Sequence, residues 1–249
     1  MEQTAEKTPL GVGNILSSAA STFFSKFTYV FVISFVAVVF SFIAYSLLGT
    51  DILDNPFIRG DFGGDALFWF FSQILVNSIV GAVVGVFITF LTYDTVLGRA
   101  VDINAYLSKL STLFLPVLLV SLVLGTAVSL GLLAFLIPGF ILMMIWYVTI
   151  PSVIIEEVGF GGFGRSQKLT AGYRWPIFGM VVLVGVAMNV LSIGIVNALA
   201  SLNWLGTPVL LIISFLGMTF SAILAATTYA RLREIKEGVS VDKIADVFS

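Results

Sequence analysis

The chain contains four long stretches without a formally charged residue, and these stretches limit its fold more than any other feature. They cover residues 27–50, 66–93, 110–155 and 175–230, and are 24, 28, 46 and 56 residues long. One helical crossing of a bilayer needs about 20 predominantly apolar residues. Each shorter stretch therefore holds one transmembrane helix, and each longer stretch holds two helices joined by a tight turn.

The composition also indicates a membrane environment. Only 10% of the 249 residues are charged and the mean hydropathy is +1.09, whereas soluble domains average about 25% charged residues. The apolar runs are continuous rather than alternating, which favours helices over a membrane barrel. We predict an all-α polytopic integral membrane protein of one transmembrane domain. Its six spans are expected at residues 29–48, 67–92, 113–135, 140–155, 176–200 and 205–229.

Lysine and arginine are distributed unequally between the two sides of these spans. With the N-terminus inside, eleven of the twelve basic residues lie in inner segments, and only Arg59 lies in an outer loop. An excess of basic residues in cytoplasmic loops is typical of multi-pass membrane proteins. We therefore predict that both termini are cytoplasmic. Residues 1–28 form an inner N-terminal segment, 29–229 the six spans and 230–249 an inner tail.

Short amphipathic segments precede three of the predicted spans. Val12, Ile15 and Ala19 begin an apolar stripe at helical spacing, which is typical of a helix in the membrane interface. The alternative is an early start of the first span. Segments 102–112 and 162–172 run into the third and fifth spans in a similar way. This pattern predicts three helical-hairpin repeats, with coincidental similarity of the amphipathic starts as the alternative.

The residue types on which most enzymes depend are scarce. Neither cysteine nor histidine occurs, which excludes thiol nucleophiles, thiolate metal sites and the commonest general base. The net charge of −2 does not indicate a nucleic-acid binder. We predict that the chain is not an enzyme and that it uses neither a cofactor nor a metal.

Charged residues at the inner ends of the predicted helices form the first candidate site. They are Asp94, Arg99, Glu156, Glu157, Arg165, Lys168 and Arg174. These residues form either a functional polar cluster or ordinary interfacial charges, whose exposed ion pairs contribute little to stability. Glu156 follows Pro151, which is predicted to kink the fourth span. We expect an arginine or lysine from segment 164–174 to pair with Glu156.

Uncharged polar residues within the spans form the second candidate site. They are Gln73, Asn77, Asn189, Ser192 and Asn197. Such groups either hydrogen-bond across helices, at about 0.6 kcal/mol each, or line a path for a solute. A cavity that converges on Asn77, Asn189 or Asn197 would favour transport. A tightly packed bundle with an exposed apolar groove would favour a role with lipids or a partner.

Several motifs in the second half of the chain resemble those of a known membrane family. They are Pro138-Gly139, Pro151 followed by Glu156, Arg165-Ser166, Leu169-Thr170-Ala171-Gly172, Arg231-Leu232-Arg233 and Glu237-Gly238. Over residues 95–249 the chain resembles the bacterial glycerophosphoryl diester phosphodiesterase membrane-domain family and its uncharacterised inner-membrane relatives. The resemblance implies a helical domain of the bacterial inner membrane. In that family the phosphodiesterase chemistry belongs to a separate soluble barrel, so we do not expect this activity here.

Two functional hypotheses follow from these observations. The first is a non-enzymatic scaffold, accessory or lipid-interacting subunit of the bacterial inner membrane. The alternative is a transporter or channel for a small or lipid-like solute. Membrane lipids are the expected partners, with other membrane proteins or a second copy as alternatives and no nucleic acid. The last span is predicted to continue as a charged helix, on which Arg231 and Arg233 could meet anionic headgroups.

Overall fold

A backbone that crosses hydrocarbon must satisfy its own hydrogen bonds, and this chain does so with helices. The computed structural model describes residues 8–50, 56, 59–198 and 203–238. Regular structure in these residues is α-helical throughout. The helices are α1 (Val12–Ser25), α2 (Phe27–Leu48), α3 (Gly64–Val96), α4 (Ile103–Ala134), α5 (Leu136–Ile145), α6 (Thr149–Glu156), α7 (Gly161–Thr170), α8 (Arg174–Ala198) and α9 (Asn203–Glu237).

Six of these segments are long and apolar enough to cross a membrane. They are α2, α3, α4, α5 together with α6, α8 and α9. The predicted all-α polytopic architecture with six spans is therefore confirmed. The helix α9 continues to Glu237, so the last span does run on as a charged helix, while residues 239–249 of the predicted tail lie outside the described residues.

The helix α2 shows how one span is divided between protein and lipid. Its small residues Ser34, Ala37 and Ser41 recur at three- and four-residue spacing and are buried. Small residues let helices approach closely in a bilayer. The Ser34 hydroxyl lies 2.8 Å from that of Thr219 on α9. Large side chains such as Phe42, which is 65% exposed, remain available to lipid tails.

The helix α3 is the most buried span, and it contacts α2, α4, α6 and α9. Two glycines one turn apart allow this packing. A Cβ atom at Gly85 would lie 3.2 Å from Ile150 of α6, and one at Gly81 would lie 3.7 Å from Met218 of α9. Gly81 and Gly85, two small residues four positions apart, therefore allow α3 to pack closely against two neighbouring spans.

Two of the three predicted amphipathic segments form separate helices, namely α1 before α2 and α7 before α8. Segment 102–112 instead joins the third span within one continuous helix. Asp102 caps this helix, since its side chain accepts a hydrogen bond from the Ala105 amide at 3.1 Å. The three hairpin units consequently differ in their first element.

The fourth span is interrupted, whereas the sequence predicted a kink. The helix α5 ends at Ile145, and α6 begins at Thr149. Pro151 lies in the first turn of α6, where a missing N–H is tolerated. It cannot bond to the carbonyl of Tyr147, and its ring crowds the preceding turn. The helix therefore restarts two residues before the proline, at Thr149, instead of bending through it.

Candidate functional site

Charged side chains join α6, α7 and α9 around Glu156. This carboxylate accepts hydrogen bonds from Arg165 Nε at 2.7 Å and from the Tyr229 hydroxyl at 2.5 Å. Arg233 Nε lies 3.8 Å from the same oxygen. Glu156 ends α6, Arg165 is on α7, and the other two are on α9. The arginine expected from segment 164–174 is thus Arg165.

A second carboxylate completes what we call the ionic network, which consists of Glu156, Arg165, Tyr229, Arg233 and Glu237. Glu237 forms an ion pair with Arg165 Nη1 and accepts a hydrogen bond from Arg233 Nε at 3.0 Å. Two guanidinium groups and two carboxylates thus alternate, with 16–26% of each side chain exposed. The bond to Glu237, followed by that to Glu156, raises the pKa of Arg165. The network therefore holds three helices together without net charge.

The structure distributes the other predicted charged residues among separate local contacts. Glu157 pairs with Lys109 at 3.1 Å, and both side chains are exposed. Asp94 accepts a hydrogen bond from the Tyr106 hydroxyl. The carbonyl of Asp94 also accepts the Arg99 amide at 2.8 Å. The seven candidates therefore do not form a single site, because short contacts with neighbouring elements separate them.

The remaining two predicted charged residues also lie outside the ionic network's ion pairs. Lys168 contributes its main-chain carbonyl, which accepts a hydrogen bond from Lys236 Nζ. Arg174 has a buried Nε atom without a partner in the described part of the chain. The cluster also contains Tyr229, Arg233 and Glu237, which were not among the predicted site residues. Their spacing of four residues, which places them along one helical face, was the available signal.

Side chains of α7 satisfy the backbone at the interruption of the fourth span. The Ser166 hydroxyl donates to the Ile145 carbonyl at 2.9 Å and accepts the Val148 amide at 3.3 Å. The Thr170 hydroxyl also donates to Ile145 at 3.1 Å. Ser166, Thr170 and Val148 are fully buried. These bonds replace the helical pairing that the interruption removes.

A cavity of about 550 Å³ lies among α3, α4, α6 and α9, and it is lined by Gln73 and Asn77. Gln73 Oε1 accepts the Tyr45 hydroxyl at 2.7 Å, and Asn77 Nδ2 donates to the Gln73 carbonyl at 2.8 Å. The buried Gln73 Nε2 has no partner among the described residues. Serine side chains extend the polar lining, namely Ser78, Ser121, Ser129 and Ser221.

A second cavity of about 450 Å³ lies between α8 and α9 and is lined by Asn189 and Ser192. Asn189 Nδ2 donates to the Gly185 carbonyl at 2.9 Å, and the Ser192 hydroxyl donates to the Met188 carbonyl at 2.8 Å. Both bonds stay within α8, so neither side chain is used to join α8 to another helix. Asn197 is exposed near the end of α8 and is not among the residues lining either cavity.

Tyr147 and Ser221 line both cavities. Tyr147 belongs to the interruption between α5 and α6, and its hydroxyl has no hydrogen-bond partner among the described residues. The cavity lined by Gln73 and Asn77 and the cavity lined by Asn189 and Ser192 thus share a side chain of the fourth span. Tyr147 was not among the predicted site residues, because a tyrosine in an apolar span is equally consistent with packing.

Comparison with other proteins adds no identification to this geometry. No protein-family model, curated protein or solved structure matches the chain. The family resemblance drawn from the sequence motifs stays a prediction.

Proposed function

We propose that this chain is a non-enzymatic membrane protein that binds a small or lipid-like amphiphilic solute and carries it across the bilayer. The supporting observation is that two polar-lined cavities, of about 550 and 450 Å³, share Tyr147 and Ser221. Ligand pockets commonly have volumes of about 300–1,000 Å³ and combine apolar walls with a few polar groups. The combined lining fits a solute with both an apolar and a polar part.

The unused polar capacity of these side chains supports a solute or water path over simple packing. A polar group facing hydrocarbon without a hydrogen bond is unfavourable by several kcal/mol. Asn77 and Asn189 are exposed on their helices. Asn77 Nδ2 donates to the Gln73 carbonyl of its own helix and to the Tyr45 hydroxyl of α2 at 3.2 Å, and Asn189 Nδ2 donates to the Gly185 carbonyl of its own helix. Water or a polar solute in the cavities would satisfy the remaining oxygens and N–H groups.

The interrupted fourth span supplies an element on which such a path could open and close. Discontinuous transmembrane helices recur at the solute sites of transporters, where non-helical backbone lines a cavity. Here the interruption lies at Tyr147, where the cavities meet. The short helix α6 is joined to the remainder of its span through the non-helical residues 146–148.

Cysteine labelling tests whether the cavities are wet, since the natural sequence contains no cysteine. We expect Asn77→Cys and Asn189→Cys to react with a membrane-impermeant, charged methanethiosulfonate, because the thiolate forms only in water. Val186→Cys is the matched control, as Val186 is 56% exposed on an apolar face of α8. Absence of labelling at both asparagine positions from both sides of the membrane would overturn the proposed path.

Flux through reconstituted vesicles tests transport itself. The probes are glycerol, followed by osmotic swelling, and a fluorescent short-chain phospholipid, followed by dithionite quenching of the outer leaflet. We expect protein-dependent flux of one of them, reduced by Asn189→Leu and by Tyr147→Phe. Asn197→Leu makes the same chemical change outside the cavities and should leave the flux unchanged. Equal flux in all variants would contradict the proposal.

One observation favours the second candidate, a lipid-interacting scaffold or accessory subunit. A groove of about 620 Å³ between α2 and α3 is lined by residues such as Val32, Val36 and Val83, and its accessible lining is entirely apolar. Such a groove suits an acyl chain or an apolar helix. Under this proposal the wild-type protein gives no flux and co-purifies in gentle detergent with a defined lipid or membrane protein. Both candidates share the proposed bacterial inner-membrane location with cytoplasmic termini.

A further inference from the structure

A separate pocket of about 280 Å³ lies where α1 crosses the ends of α3 and α9. Arg231 and Glu234 form its charged part, with Asn14 and Ser18 of α1 as further polar groups. Small residues of α9, Ala226 and Ala230, also line it. This pocket shares no lining residue with the two proposed solute cavities.

Arg231 and Glu234 form an ion pair in this pocket, but each side chain keeps one hydrogen-bonding atom without a partner among the described residues. Arg231 Nη1 donates to Glu234 Oε2 at 2.6 Å, and Arg231 Nε donates to the Leu10 carbonyl at 3.4 Å. Within the described residues, Arg231 Nη2 and Glu234 Oε1 have no partner. The pocket therefore offers one cationic donor and one anionic acceptor side by side. The sequence predicted that Arg231 and Arg233 meet anionic headgroups. In the structure the charge of Arg231 is neutralised by Glu234, and Arg233 belongs to the ionic network, so neither is a free cation for such a headgroup.

We propose that this pocket binds the headgroup of a zwitterionic phospholipid that carries a primary ammonium, namely phosphatidylethanolamine. Arginine is well suited to phosphate oxygens, because its planar N–H groups form charge-assisted hydrogen bonds with them. A carboxylate accepts N–H bonds from a primary ammonium two carbons away from the phosphate. The headgroup thus places one charge on Arg231 Nη2 and the opposite charge on Glu234 Oε1.

Other common headgroups match this pocket less well. Choline has no N–H to donate to Glu234, and quaternary ammonium groups are typically held by aromatic cages. Tyr93 is the single aromatic side chain among the described residues that line this pocket. Serine adds a carboxylate that Glu234 would repel. The glycerol headgroup of phosphatidylglycerol carries no cation that could pair with Glu234. An amphipathic helix such as α1 and a charged helix end such as that of α9 are typical of the membrane interface, where lipid headgroups are concentrated.

Native mass spectrometry of the full-length, delipidated chain in detergent tests the proposal. The probes are phosphatidylethanolamine, phosphatidylcholine and phosphatidylglycerol with identical acyl chains. We expect phosphatidylethanolamine to bind roughly tenfold more tightly than the other two, as one charge-assisted hydrogen bond contributes. Glu234→Gln should remove this preference, whereas Arg231→Gln should weaken the binding of all three. Equal binding of the three lipids to the wild-type chain would overturn the assignment.

Matched variants and a soluble competitor complete the test. Glu157→Gln removes a carboxylate elsewhere and should leave the preference intact. Ala230→Leu fills the pocket without changing a charge and should weaken phosphatidylethanolamine binding even if Glu234→Gln does not fold. Unchanged binding in Ala230→Leu would contradict the site. If free O-phosphoethanolamine at the same concentration as the lipid displaces phosphatidylethanolamine, the pocket binds a soluble phosphoethanolamine equally well, and the assignment to a membrane lipid would be overturned. Vesicle flux is not a readout here, so this inference can fail independently of the transport proposal.

Discussion

At the scale of single residues, Glu156 has the contacts of a structural centre. It is 19% exposed, and it interacts with an arginine of α7 and with a tyrosine and an arginine of α9. Among the described residues the neighbouring Glu157 has one partner, Lys109, and both of these side chains are at least 40% exposed. These two adjacent glutamates therefore differ in how much their charges contribute to the stability of the fold.

We predict that Glu156→Gln lowers the free energy of unfolding by about 2 kcal/mol, because hydrogen bonds to a partly buried charge are lost and Arg233 loses a carboxylate. Glu157→Gln is the control and should change it by less than about 1 kcal/mol, as exposed ion pairs contribute little. Thermal unfolding of purified protein in one detergent measures both. Equal shifts for the two variants would show that Glu156 is not central to the network.

At the scale of elements, the sequence predicted where the fourth span is disturbed but not how. Pro151 signalled a disturbance because any proline removes one helical hydrogen bond. Whether the helix bends or breaks depends on what satisfies the freed backbone groups. Here Ser166 and Thr170 do so from a different helix, about twenty residues further along the chain. A serine and a threonine in a short polar helix carry no sequence signal for that contact.

The interruption leads to a prediction about Ser166. Ser166→Ala should reduce the free energy of unfolding by about 1–3 kcal/mol, because the buried Val148 amide loses its acceptor. Hydrogen exchange should also become faster at Val148, as measured by mass spectrometry of the peptide that contains it. Ser111→Ala is the control, since the Ser111 hydroxyl is exposed and bonds within its own helix to the Ser108 carbonyl. An unchanged exchange rate at Val148 would contradict the role assigned to Ser166.

At the scale of the whole molecule, charge-free stretches were sufficient to predict six spans, because bilayer thickness fixes helix length and charges are confined to the ends. The same rule could not assemble the candidate site. Arg233 and Glu237 are more than 65 residues from Glu156 and Arg165 in sequence, and only tertiary packing of α9 beside α6 and α7 joins them. Asn77 and Asn189 line separate cavities, and the sequence did not indicate that Tyr147 of the interrupted span lines both of them.

The orientation of the whole bundle is the remaining prediction from charge, and it can be measured on intact cells. Asp61→Cys lies in the α2–α3 connection, and Gln167→Cys lies on α7; both positions are exposed. The excess of basic residues near α7 predicts that this side is cytoplasmic. An impermeant maleimide should therefore label Asp61→Cys in intact cells and Gln167→Cys only after permeabilisation. The reverse labelling pattern would contradict the predicted orientation. It would place the ionic network and the pocket lined by Arg231 and Glu234 on the outer side, where the surface potential of the cytoplasmic leaflet does not act on them.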